Sequence, residues 1–235
     1  MCFLPGAALM NKAAAAPSGI TFVSSSNFNG GTNASTGAWS ASAPAGIAAG
    51  DVVLCCISYD RASPAPVLPT GFTQIQETNV GTPDAHSIMV GYKVATGSET
   101  TFSATAGTNV SMTAVFALFR GCAASPINTS SVASDGGSNA SPITVAAPAV
   151  TTTAANCLHV IVTTVDCGSA GTIGHTTPSG YAKLVELSNT SGNFSDIYVA
   201  SKIIATASNT GTVNVTTTTP AAAGWMAISA ALAPP

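Results

Sequence analysis

Charge is what this chain lacks most. Only 6% of its 235 residues are Asp, Glu, Lys or Arg, against roughly 25% in an average soluble domain. Six basic residues face nine acidic ones, for a net charge of −3. Six scattered cations cannot neutralise a run of phosphates, which argues against sequence-independent nucleic-acid binding. Long hydrophobic runs are missing as well. No apolar stretch approaches the roughly 18 residues of a membrane-spanning helix, so no membrane span is expected. The longest candidate, "AVFALFRGCAA" from Ala114, is broken by Arg120 and reads as a buried strand.

Ligand-like spacing is also absent. The six cysteines, Cys2, Cys55, Cys56, Cys122, Cys157 and Cys167, form no CxxC, so neither a zinc knuckle nor a redox pair is indicated. Cys55 and Cys56 are neighbours in an extended segment and therefore face opposite sides of it. Free thiols in small apolar positions, in a chain made in a reducing cytoplasm, are the expectation. The three histidines, His86, His159 and His175, show no HxxxH or HxH spacing, and no GxSxG elbow or phosphate-binding glycine loop is present. No catalytic, cofactor-binding or metal-ligating residue is therefore assigned, and no cofactor is expected.

What is present is an apolar, hydroxyl-rich chain. Hydrophobic residues make up 46%, and most of the rest is Ser, Thr, Gly and Asn. Solubility has to come from hydroxyls and amides, and a surface with so little charge repels its neighbours weakly, so self-association or docking costs little. Val, Ile, Thr and aromatic residues alternate with small polar ones, punctuated by Gly, Pro, Asn and Ser every 8–12 residues, which is a strand pattern. Helix signals are weak, since the alanine run from Ala13 to Ala16 is too short to stand alone.

The chain also repeats itself. "GGTNAS" at Gly30 returns as "GGSNAS" at Gly136, and "GDVVLCCISYD" ending at Asp60 returns as "NCLHVIVTTVD" ending at Asp166. "PTGF" at Pro69 returns as "PSGY" at Pro178, Lys93 as Lys202, and the closing "AVFALF" as "AISAAL". The order is kept while the offset grows slowly, as expected of a tandem duplication with small loop insertions. The fold class expected is all-β: two tandem antiparallel β-sandwich, jelly-roll-like domains of about seven strands each. Their expected bounds are 18–121 and 126–235, joined near Pro126. A single fused sandwich, with strands of both halves in each sheet, is the alternative. The glycine-rich "GGTNAS" phrase reads as a turn between strands.

Residues kept in both halves belong first to the fold. Glu77 and Glu186 are equivalent, as are Lys93 and Lys202, and each acid lies one strand before its lysine, so Glu77–Lys93 and Glu186–Lys202 are expected as cross-strand ion pairs. Asp60 and Asp166 close the same strand and lead into loops, where an aspartate bonds its own backbone. A calcium site would need six or more oxygens, and no such cluster is spelled out. His159 is expected as a packed strand residue. Trp39, Tyr59, Phe28, Tyr181 and Trp225 could suggest a sugar platform, but Phe72 and Tyr181 share one repeated slot, and burial is expected for the tryptophans. The first 17 residues fall outside the repeat. They resemble a leader only loosely, because the sole charge, Lys12, follows the apolar part, and they read as an arm whose Phe3, Leu4, Leu9 and Met10 would be buried on a neighbouring subunit or lattice protein.

Four pieces together carry a family resemblance: Gly50-Asp51 opening an apolar strand, Pro69-Thr70-Gly71-Phe72, Tyr92-Lys93-Val94-Ala95-Thr96, and the strand ending at Phe119. The second half keeps Pro178 to Tyr181 and Lys202 but has Ala155-Asn156 and Ser201 in place of Gly50-Asp51 and Tyr92. This set resembles β-sandwich domains of tailed-phage virion proteins, which have counterparts in bacterial surface and secreted proteins. The resemblance implies a non-enzymatic structural component of a phage virion, such as a capsid decoration (cement) protein or head fibre. It would be oligomeric or lattice-bound, and its partner would be the major capsid protein or another virion protein. A carbohydrate-binding or host-adhesion module of a phage tail or bacterial surface, with a glycan as ligand, is the alternative.

Overall fold

The structure is a computed structural model that describes residues 19–29, 38–60, 65–80, 86–105, 111–167, 172–188 and 194–235, with only the backbone of Cys167, Phe194 and Ser195. The arm with Phe3, Leu4, Leu9 and Met10 lies outside the described residues. The first half forms β1 (Thr21–Asn29), β2 (Ala38–Ser42), β3 (Val52–Asp60), β4 (Thr73–Asn79), β5 (His86–Val94), β6 (Thr101–Thr105) and β7 (Met112–Arg120). The second half forms β8 (Ile127–Asn139), β9 (Ile143–Ala147), β10 (Cys157–Cys167), β11 (Gly174–Thr176), β12 (Ala182–Ser188), β13 (Phe194–Ile204), β14 (Val213–Thr218) and β15 (Ala223–Leu232). All pairings are antiparallel. The fold is all-β, and no helix occurs among the described residues.

Each sheet draws its strands from one half. A five-stranded sheet β1-β7-β3-β5-β4 and a two-stranded sheet β2-β6 come from the first; a five-stranded sheet β8-β15-β10-β13-β12 and a three-stranded sheet β9-β14-β11 come from the second. The two five-stranded sheets have the same order once strands are matched along the chain, β11 being extra. Their details match too. Phe72 N–H donates to Pro69 C=O at 3.1 Å and Tyr181 N–H to Pro178 C=O at 3.1 Å. The turn in between needs a left-handed third residue, supplied by Gly71 (φ 85°) and Gly180 (φ 78°). Just after each turn the edge strand shifts register, between Gln74 and Gln76 and between Lys183 and Val185. Asn156, at φ 58°, stands 106 positions after Gly50, at φ 85°. Asn tolerates that region better than most residues, so Asn156 replaces the glycine itself.

The sheets stack in four layers with three apolar seams. The small sheet β2-β6 covers the outer face of the first large sheet, packing Trp39, Ala41 and Phe102 on Val53, Cys55, Ile57 and Phe116. The sheet β9-β14-β11 covers the second in the same way, with Ile143, Val145 and Val215 on Ile161, Val165 and Ala227. Between the two large sheets lies a shared core to which β3 gives Val52, Leu54 and Cys56, and β10 gives Leu158, Val160 and Val162. Strands β3 and β10 are thus buried on both faces, which explains their near-continuous apolar runs.

Two expectations are corrected. Gly136 to Asn139 belong to the end of β8 instead of a turn, because Ala223 of β15 continues the ladder to Asn139. Nor do the repeated acids meet the repeated lysines. Glu77 stands opposite Met89 and Glu186 opposite Tyr198, each four residues short of its lysine, a separation of about 13 Å along a strand. Lys93 pairs instead with Glu99 at 3.2 Å, and Glu186 with Lys183 at 2.7 Å. Lys202 lies over the Tyr181 ring, and Glu77 accepts the Tyr59 hydroxyl at 2.7 Å.

Candidate functional site

On their inner faces, β3 and β10 change character at the same end. After Val52, Leu54 and Cys56 the inward positions of β3 become Ser58 and Asp60; after Leu158, Val160 and Val162 those of β10 become Thr164 and Asp166. The two strands face each other, so the polar positions meet. Ser58 Oγ lies 2.8 Å from Thr164 Oγ1, a contact between residues 106 apart in sequence. His86, the first residue of β5, completes the group, with Nε2 2.7 Å from Ser58 Oγ and Nδ1 3.1 Å from Asp60 Oδ1. The potential ligand atoms of Asp60, His86 and Asp166 all lie within 4.8 Å of one another.

The chain of contacts continues into the second half. Asp196 Oδ1 accepts the Val165 N–H at 2.7 Å and the Thr164 hydroxyl at 3.2 Å. Asp196 Oδ2 stands 3.0 Å from His175 Nε2, off the line of a hydrogen bond, so this is a charge contact. The other ring nitrogen of His175 lies 3.1 Å from Glu186 Oε1, and the ring stacks on Tyr198 at 4.8 Å between centroids. Burial alone would lower the pKa of His175, but the adjoining Asp196 carboxylate, then the hydrogen bond and charge of Glu186, raise it above the ordinary histidine value.

Ser58, His86 and Asp60 have the distances of a Ser-His-Asp triad, so access to them decides what they can do. A nucleophilic serine has to be reached by its substrate, whereas Ser58 and His86 are fully buried. The Ser58–Thr164 and Ser58–His86 contacts accommodate either direction of proton donation, set by the imidazole tautomer. The array is a buried polar junction between the halves.

The other singled-out residues lie elsewhere. His159 is packed, with Nδ1 2.7 Å from the Tyr181 hydroxyl; burial, then the Lys202 charge, holds its pKa down at about 4. Trp39, Tyr59 and Trp225 are buried, and Phe28 and Tyr181 pack against the outer seams. Cys55, Cys56, Cys122 and Cys157 are free thiols, and burial pushes Cys56 up to about 12. The sequence reading missed the junction because His86 has no counterpart histidine and its partners are scattered along the chain. A usable signal existed: the inward alternation of two equivalent strands turns polar at equivalent positions. No known family, curated protein or solved structure matches the chain.

Proposed function

We propose that the chain is a non-enzymatic structural protein of a phage virion, a capsid decoration or cement protein that docks on the particle lattice. The observation that carries the non-enzymatic part is the burial of the junction. Ser58 and His86, the residues closest to a catalytic arrangement, are buried where the two halves meet. The aromatic residues that a sugar platform would use, Trp39, Tyr59 and Trp225, are spent on packing. What faces outward is sheet and turn surface rich in Ser, Thr, Gly and Asn and poor in charge, which can approach a neighbouring protein with little electrostatic cost. The repeated turn and strand phrases, with their resemblance to virion β-sandwich domains, supply the setting. Immunogold labelling of particles from the phage that encodes the chain tests the reading. Label over the head surface is expected. Label confined to the tail tip would favour host adhesion, and its absence from the particle would end the proposal. A fluorophosphonate probe should leave Ser58 unlabelled.

A further inference from the structure

At the end of the body opposite the junction, the shared core is left open at two matched points. Val94, the last residue of β5, is 38% exposed, and Ile203, near the end of β13, is 42% exposed. Both continue the inward alternation of their strands, after Ile88, Val90 and Tyr92 in β5 and after Ile197 and Val199 in β13. Like Lys93 and Lys202, they stand 109 positions apart, so they are one slot of the repeat filled twice. Among the described residues only one other large apolar side chain is comparably exposed, Val67 beside β6 in the outer layer. Single exposed apolar residues are ordinary on a protein surface, but a repeated pair at one end of one seam calls for a cover. We propose that residues 1–18 cover this end of their own body, instead of a neighbouring subunit, and seat the apolar side chains of the arm on Val94 and Ile203.

Three observations support this occupant. The first is where the arm joins the body. β1 begins at Thr21, opposite Arg120; the next residue back along β7, Phe119, stands across from Val52, and Val52 across from Val94. The arm therefore leaves at this same end, and Ile20 is already packed in the shared core. The second is a precedent in the other half. The segment before β8 holds the place of the last arm residues, 106 positions on, and it runs across this end. Ala123 N–H donates to Ala233 C=O at 2.9 Å, Cys122 packs against the shared core, and Pro126, the equivalent of Ile20, is buried. The third is reach and composition. Val94 lies three strands from β1, about 14 Å, and Ile203 belongs to the facing sheet, about 10 Å away. A tethered segment of about 18 residues spans roughly 23 Å on average. Within it, the apolar pairs Phe3-Leu4 and Leu9-Met10 are six residues apart, up to about 20 Å of extended chain, which is enough to bridge the two points. So short a tether holds the arm at roughly millimolar effective concentration, and this favours its own body over a second copy.

This docking does not depend on the virion reading, since it concerns the body alone. Photo-crosslinking of the purified full chain tests it, with p-benzoylphenylalanine in place of Phe3 or of Leu9. The expected product is a cross-link within the monomer to the peptides that carry Val94 or Ile203. The double variant Val94→Ser, Ile203→Ser, changed only at exposed positions, should cut that yield by about 10-fold or more and leave the strand signal unchanged. Cross-links between two copies, in a dimer fraction that grows with protein concentration, would place the arm on a neighbour. No cross-link, a cross-link to another surface, or a yield insensitive to the double variant would mean that the arm is not seated here. Any of these results overturns the proposal.

Discussion

His175 sits between Glu186 and Asp196 with its side chain sealed from solvent, and its raised pKa makes a pH-dependent contribution to stability. A histidine held above its unfolded value of about 6.5 stabilises the fold fully below that pH and loses the contribution as pH rises through the folded value. Chemical denaturation of wild type and His175→Gln should therefore show a stability gap that narrows as pH rises from about 6. A gap that is constant or widens upward would contradict this. Glu99 has the opposite sign. Burial opposes its ionisation, but the Thr96 and Glu99 backbone N–H groups, Lys93 and the Thr96 side chain prevail and hold it at about 2. Its contribution is present above an unfolded value of about 4.3 and is lost as pH falls through the folded one. Glu99→Gln should be less stable than wild type at pH 7, with the difference shrinking toward pH 3. Residue identity alone hid both groups. Nothing in the spacing of His175 foretold two acids on different strands, and the expected partner of Lys93 was a strand residue, whereas the loop acid Glu99 reaches it because its carboxylate also caps the backbone N–H groups of Thr96 and Gly97.

Among the elements, turns were the most legible, because a left-handed residue leaves a chemical trace. Pro-x-Gly-aromatic appears twice and makes the same turn twice, and Gly50 and Asn156 fill one left-handed slot with the two residue types that accept it. Register was harder. Alternation gives the face a residue points to, but not which residue stands across from it, and this is why Glu77 meets Met89 instead of Lys93. Glycine substitutions separate backbone strain from crowding. A Cβ at Gly50 would meet nothing within 4 Å, whereas at Gly97, also left-handed, it would lie 2.6 Å from the Ala49 nitrogen. Gly50→Ala should cost about 1–2 kcal/mol from conformation alone, and Gly97→Ala clearly more, since Ala49 must move as well. Equal losses in urea denaturation would show that the crowding is relieved without cost.

At the scale of the whole molecule, the repeat told that there are two similar halves but not how they meet. A strand buried on both faces reads the same whether its second face is covered by its own half or by the other. In β3 and β10 one face is covered by each, so the halves share their central core. Either half expressed alone, 18–121 or 126–235, would expose the inner faces of its large sheet, and an apolar patch of that kind associates or aggregates. Each should self-associate by analytical ultracentrifugation, while co-expression should recover a one-to-one complex. A soluble, folded monomer of either half would show that the shared core is dispensable. The central claim is that this body is a repeated structural part of a virion, and counting it in purified particles tests that most directly. Quantitative mass spectrometry against the major capsid protein should give a fixed stoichiometric ratio, reproduced between preparations, as docking on a lattice requires. A handful of copies per particle, or none, would contradict the account.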